Sequence, residues 1–340
     1  MYADRRDRQG QFGIKLAKEK DHTINNKRAP ITRADIERQL IDVLHQFGPL
    51  TGFEIQNRID IESLALWKAC RLSDHIAIRT AGTKYMRLDR QVEGFARLSP
   101  SILREFFTYS VIGLSENIPL IVEKCEVLNR EIVAISRRKY GLASDMAREA
   151  MEEFYADTRR DPDFSSEVCF IIAGDIVYNM AHDVARPEPS TGKLVRGSDI
   201  DLVIVVPDSF AEDHVKHLDS IIYNKKYRML KNPAINEEID YTIKKPEKIR
   251  QQASFDDFKK MVAIKILAEG RLLYGSEDLF RSVHDILNRN EIAEKIDGLE
   301  KQAFLFRDNA EKLILQGVLD KESVKRLHLF YPSEEFEEFE

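Results

Sequence analysis

Two aspartates at the mouth of the most strand-like run in the chain have the clearest capacity for chemistry. The run reads Arg196-Gly197-Ser198-Asp199-Ile200-Asp201 and continues as Leu202-Val203-Ile204-Val205-Val206. Side chains alternate along a strand, so positions 199 and 201 share a face, with α-carbons roughly 6.5 Å apart. Aspartate is depleted in strands, and two carboxylates this close repel each other. A cation relieves that repulsion, and hard oxygen ligands of this kind select magnesium or manganese. The plainer reading, two solvated aspartates at a strand end, leaves the Gly-Ser pair ahead of them and the apolar run behind them unexplained.

A second apolar run, Val168 to Ala173, reads as a buried strand that reaches Gly174-Asp175 and a predicted helix over 176–184. With this strand, the Gly-Ser pair and the Asp-x-Asp strand, residues 161–275 resemble the DNA polymerase β-like nucleotidyltransferase superfamily. The resemblance implies a small mixed sheet with helices on one side, a Gly-Ser turn that holds a nucleoside triphosphate, and a third carboxylate on a later strand. Asp240, within Glu238-Ile239-Asp240-Tyr241-Thr242-Ile243, fits that third position, with Glu238 on the same strand face as the alternative. Asp199, Asp201 and Asp240 are then the catalytic and metal-binding residues. The first two hold a Mg2+ or Mn2+ ion that grips the triphosphate, and all three hold a second ion at the attacking hydroxyl. The acceptor oxygen attacks the α-phosphorus, nucleoside monophosphate is transferred, and pyrophosphate leaves, with Asp240 also assisting deprotonation of the hydroxyl.

Gly174, Asp175, Arg196, Gly197, Ser198 and Lys265 are the expected nucleotide-binding residues. Lys265 enters because it emerges from an apolar helical stripe of Phe258, Met261 and Val262, with Lys260 a weaker candidate. Asp175 departs from the family pattern, which usually has serine there. An acid at a helix N-terminus repels a triphosphate, so Ser198, Arg196 and backbone amides would have to take over.

Ahead of this core, Ile36, Leu40, Val43, Leu44 and Phe47 recur at helical spacing after Thr32. Thr51 caps a second short helix, and a third runs from Ile61 to Leu72. Ile76–Arg79 and Lys84–Leu88 flank a turn at Gly82 and predict a β-hairpin. Three helices and a hairpin resemble a winged helix-turn-helix over residues 30–95, which implies nucleic-acid contacts from Lys68, Arg71, Arg79, Lys84 and Arg87. A module that packs on its neighbours or on a protein partner is the competing reading.

A chain of 340 residues exceeds what one core usually holds, so several domains are expected. They are a basic flexible arm over 1–29, the winged module over 30–95, a helical connector over 96–160, the transferase core over 161–275, a C-terminal helical region over 276–330 and an acidic tail over 331–340. The fold class is α/β in the α+β sense. Residues 1–100 hold 18 Lys and Arg against 13 Asp and Glu, so the acidity behind the net charge of −6 lies in the remainder. Nucleic acid is therefore an expected partner of residues 1–95. The tail, with Glu334, Glu335, Glu337, Glu338 and Glu340 around Phe336 and Phe339, reads as a solvated segment or as a docking peptide for a protein partner.

Cys70, Cys125 and Cys169 are widely spaced beside apolar residues and are expected to be inert core thiols. His182-Asp183 and the pair His214 and His217 lack the companions of a metal site. No apolar run is long enough for a membrane span and the N-terminal stretch lacks the apolar centre of a signal peptide, so a cytoplasmic location is expected. Nucleic acid, protein, small molecule and second nucleotide all stay open as acceptors. A nucleotide-sensing DNA-binding regulator, or an assembly subunit without turnover, is the alternative to an enzyme. Prokaryotic families with such a core often belong to toxin or phage-defence systems, a role that resemblance alone implies.

Overall fold

A computed structural model of the chain describes residues 32–158, 167–187 and 194–328. The apolar spacing after Thr32 becomes α1 (Arg33–Phe47), which buries Ile36, Leu40 and Leu44. β1 (Leu50–Thr51) leads into α2 (Gly52–Gln56), where Thr51 and Glu54 exchange both hydrogen bonds of a capping box. α3 (Ser63–Leu72) buries Leu66, Trp67 and Cys70.

β2 (Ile76–Thr80) and β3 (Tyr85–Leu88) follow, but the expected hairpin between them does not form. β3 pairs with β4 (Ala96–Ser99), whereas β2 pairs with β5 (Ser110–Leu114), giving a three-stranded order β1-β5-β2. Burial explains the change of partner. Tyr85 and Met86 are both buried instead of alternating, Tyr85 against Tyr178 and Met86 beside Ala303 far along the chain. Between β4 and β5 lie the short α4 (Ile102–Arg104) and a π-helical turn (Glu105–Tyr109). The expected connector helix over 96–160 is therefore continuous helix only in α5 (Ile118–Thr158), because the β-branched pair Val111 and Ile112 is strand.

α5 is 41 residues long and serves two cores. Its first half packs Ile121, Cys125 and Ile132 against Tyr109, Val111 and Met180, and its second half lays Ala143, Met146, Ala150 and Phe154 under the central sheet. That sheet is formed by β6 (Cys169–Ala173), β9 (Ile200–Val205), β10 (Ile239–Lys244) and β11 (Arg271–Gly275), with β7 (Ala185–Pro187) and β8 (Leu194–Arg196) pairing beside it. The order is β10-β9-β6-β11, parallel between β10 and β9 and antiparallel elsewhere. The remaining helices are α6 (Glu212–Lys231), α7 (Pro246–Gln252), α8 (Phe258–Glu269), α9 (Glu277–Arg289), α10 (Ile292–Leu315) and α11 (Lys321–Arg326).

Helices cover both faces of the sheet, not the one face expected. Phe170, Ile172, Ile200, Leu202 and Ile204 join the α5–α6 core, while Cys169, Ile171, Val203 and Val205 join the α7–α9 core. A strand buried on both sides needs an unbroken apolar run, and β6 and the stretch 202–205 of β9 supply one. Each such buried side chain stabilises the fold by roughly 1.5–3 kcal/mol.

The C-terminal segment is helical as expected, but its apolar residues are unequal. Ile286, Leu287, Ile292 and Ile314 are buried, whereas Leu305 is 67% exposed. Through Ala303 and Ile314, α10 packs on β3–β4 and on the α1–α3 core, so the described residues from Arg33 onward form one compact unit. The expected arm over 1–29 and tail over 331–340 lie outside the described residues. All three cysteines are buried free thiols, and burial pushes the Cys169 thiol up to about 12. No described helix is long and apolar enough to cross a membrane.

Candidate active site

The sheet register assembles the carboxylates. Asp201 in β9 stands opposite Asp240 in β10, and neighbours across a parallel pair project to the same side. Asp199, two residues before Asp201, shares that side, while Ile200 and Leu202 point into the α5–α6 core. Burial, then the charges of Asp199, Asp175 and Asp240, push the Asp201 carboxyl well above the usual range, with Arg87 partly offsetting them. The cluster has the electrostatic character of a site that gains stability from a cation.

The Gly174-Asp175 segment is shaped around this cluster. Gly174 has φ +71°, and a Cβ there would collide with Asp201 Oδ2, so the position favours glycine twice over. The expected helix over 176–184 is absent beyond a single 3₁₀ turn, Gly174–Ile176. The backbone donors of the later residues are used elsewhere: Ala181 N–H bonds Ser136 Oγ at 3.1 Å and His182 N–H bonds Ser198 Oγ at 3.2 Å.

Asp175 is consequently an internal acceptor and does not sit at a helix N-terminus. Tyr85 Oη donates to Asp175 Oδ1, Ser198 Oγ donates to Oδ2 at 2.7 Å, and the Arg87 guanidinium lies 4.0 Å from Oδ1. Burial alone would raise this carboxyl, but Arg87, then Ser198 and Tyr85, hold it down to about 2. An aspartate depressed in the fold contributes stability above its unfolded value of 3.8, lost as pH falls through about 2. Asp175→Asn is therefore expected to cost about 2 kcal/mol at pH 7 and progressively less below pH 4. Urea unfolding at pH 7, 4 and 3 checks this.

A buried scaffold holds the Arg196–Ser198 turn. Gly197 has φ +39°, and a Cβ there would overlap the His182 carbonyl, which accepts from Ser198 N–H at 3.1 Å. From α5, Lys139 Nζ donates to the carbonyls of Arg196 (3.0 Å) and Ser198 (2.7 Å) and to Glu237, and both its side chain and that of Glu237 are fully buried. Arg138 clamps Asp183 with two bonds of 2.9 and 2.7 Å and also reaches Glu237. Arg186 donates to the Gly197 carbonyl at 2.6 Å, reaches Glu238 at 2.9 Å and lies 3.9 Å from Asp199.

The other expected residues divide. Lys265 pairs within its own helix. It is buried against Glu269 and lies over the stacked rings of Tyr85 and Tyr178, and burial lowers its pKa. Glu269 also takes Tyr178 Oη at 2.8 Å and the Gly174 N–H at 3.3 Å. Lys265 and Glu269 line a cavity of about 350 Å³ between α8, α9 and α10. Lys260 pairs with Asp256. The five cations expected to bind nucleic acid do not form one surface. Lys68 is half-buried on α3, Arg71 meets Glu311, Arg79 is exposed, Lys84 pairs with Glu105, and Arg87 faces the aspartates. His182 meets Arg104 at 3.0 Å, while His214 and His217 pack on Phe154.

No protein-family model and no curated protein matches the chain. Among the described residues, no group of three or more His, Cys, Asp and Glu is arranged to hold a metal ion. Asp240 is 56% exposed and engaged by Lys226 at 3.0 Å. Asp199 and Asp201 still fit a magnesium or manganese ion, which is commonly bound through one or two carboxylates with phosphate and water completing the shell.

Lys139, Arg186, Glu237, Tyr85 and Glu269 are absent from the sequence expectations. Lys139 had a readable signal, since it falls in the buried stripe Ile132, Ser136, Lys139, Ala143 of α5.

Proposed function

We propose that the protein is a metal-dependent nucleotidyltransferase that moves a nucleoside monophosphate from a nucleoside triphosphate to a hydroxyl acceptor and releases pyrophosphate. The observation that carries this reading is the β9–β10 register, with Asp201 and Asp240 side by side on the face that Asp199 shares. A divalent ion bound there supplies charge neutralisation for the triphosphate and acidifies the attacking hydroxyl. Asp199 and Asp201 hold the triphosphate end of the site. Asp240, once Lys226 releases it, is placed to take the acceptor proton on a carboxylate oxygen. Arg87, 4.0 Å from Asp175, and Arg186, 3.9 Å from Asp199, take the phosphate-facing role expected of Lys265. Asp175 does not oppose the triphosphate in this scheme, because its charge is already matched by Arg87 and two hydroxyl donors.

The mixed four-stranded sheet supports a nucleotidyltransferase core. The succession α1-β1-α2-α3-β2-β5, with strand order β1-β5-β2, supports a winged-helix module whose wing is the long insertion over 81–109. That wing carries Tyr85 and Arg87 toward the aspartates, so its role is to complete the site. One observation favours a nucleotide sensor without turnover: Asp175, Asp199 and Asp240 each already face a cation of the chain.

Calorimetric titration with α,β-methylene nucleoside triphosphates tests the binding half of the proposal. Binding is expected with Mg2+ or Mn2+, absent without metal, and lost in the Asp199→Asn/Asp201→Asn double variant. Equal binding by the double variant would contradict the site.

A further inference from the structure

α6 carries an uncovered aromatic and basic face that begins at Asp240. From Ser220 to Asn236 the chain has Lys226, Arg228 and Lys231 beside two tyrosines and no acid, while Lys225 turns away to Glu149 and Glu153 of α5 and Asp219, one turn before Tyr223, is taken up by Tyr241 Oη at 2.9 Å. Tyr223 is 58% exposed and Tyr227 51% exposed, an unusual display for large rings on a helix that buries Leu218, Ile221, Ile222 and Met229 on its other side. Their i, i+4 spacing puts the rings on one face about 6 Å apart along the axis. Lys231 Nζ lies 5.3 Å from the centre of the Tyr227 ring. Lys226, between the two tyrosines in sequence, reaches Asp240 Oδ1 at 3.0 Å. The face is therefore continuous with the carboxylate assigned to the acceptor hydroxyl.

We infer that this face is the acceptor track, and that the acceptor is a single-stranded nucleic acid whose terminal hydroxyl arrives at Asp240. The inference rests on the transferase reading and deepens it by naming the substrate class. Exposed tyrosine rings stack on unstacked bases whatever their sequence, and interleaved cations track the phosphates. A duplex hides its base faces in its own stack, so two outward rings at this spacing match a single strand better. Lys226 has a double part. Without acceptor it neutralises Asp240, and a phosphate arriving on the track competes for its ammonium group and frees the carboxylate. The track lies on α6 of the central-sheet core and uses none of Lys68, Arg71, Arg79, Lys84 or Arg87. A net charge of −6 is compatible with it, because this helical segment is locally basic.

The test is fluorescence anisotropy of the full chain with a short labelled oligonucleotide, supplied as single-stranded RNA, as single-stranded DNA, and as a hairpin duplex of matching sequence. At least one single strand is expected to bind more tightly than the duplex. Tyr223→Ala/Tyr227→Ala is expected to weaken that binding by about tenfold or more, and Tyr223→Phe/Tyr227→Phe to retain it, since stacking survives in phenylalanine. Comparison of the two single strands decides between RNA and DNA. Absence of single-strand binding, preference for duplex, or equal affinity in the alanine variant would each overturn the inference, and so would equal losses in the alanine and phenylalanine variants. Failure of the transferase reading is seen separately, in the metal–nucleotide calorimetry of the wild-type chain, so the two can fall independently.

Discussion

Asp201→Asn is expected to make the protein more stable and to remove its transfer activity. The carboxyl is held well above the usual range by burial and by Asp199, Asp175 and Asp240. A carboxyl raised in the fold costs stability wherever the unfolded chain would ionise it. That cost grows as pH rises from the ordinary carboxylate value through the folded one. Asparagine removes the like-charge repulsion, so a gain of about 1 kcal/mol is expected at pH 7 to 8, fading below pH 4. Transfer should fall by about a thousandfold or more, equivalent to roughly 4 kcal/mol of lost transition-state stabilisation. Denaturant midpoints across pH, measured beside turnover, check both halves. A variant that is less stable at pH 7, or one that keeps its turnover, contradicts the like-charge cluster as a metal site.

Lys139→Met is expected to be the most damaging substitution outside the aspartates. It leaves Glu237 buried beneath the turn, strips a donor from the Arg196 and Ser198 carbonyls, and puts an apolar end where three acceptors converge. Breaking a buried pair by removing one partner costs about 3–5 kcal/mol. Pairing it with Glu237→Leu should recover part of that loss, because no carboxylate is then left behind. Activity should not recover with it, since the Ser198 carbonyl still lacks its anchor and the turn that leads into Asp199 is free to shift. Urea midpoints of the two variants, with transfer assayed at a temperature where both are folded, separate the two effects. A double variant with restored activity would show that Lys139 matters only for stability.

The parts of the site that sequence could reach are those whose signals are local. Asp199, Asp201 and Asp240 stand on runs whose alternation and apolar flanks identify strands, and the sheet brings the strands together in parallel register. Pairing partners are not local, which is why β2 and β3 looked like a hairpin across Gly82 when β2 closes on β5 instead. Tyr85 is not legible as a site residue, and Arg87 only as a nucleic-acid contact, for the same reason, since Tyr85 meets Asp175 from 90 positions away in the chain. Lys265 shows a different lesson. Phe258, Met261 and Val262 are only half-buried, α8 buries Ile264 and Leu267 beside Lys265, and Glu269 four residues later is a local sign of the ion pair that forms. Lys139 carries a stripe signal on α5, but its partner Glu237 lies 98 positions away and has no local sign.

The central claim is that these carboxylates turn over a nucleoside triphosphate. It is tested most directly by incubating the chain with each radiolabelled triphosphate, Mg2+ or Mn2+, and mixed RNA, DNA and protein acceptors, following both pyrophosphate and the label. The expected result is metal-dependent pyrophosphate release with label on an acceptor, abolished by Asp201→Asn. Absence of pyrophosphate and of transfer under every condition, or release that persists in Asp201→Asn, would contradict it.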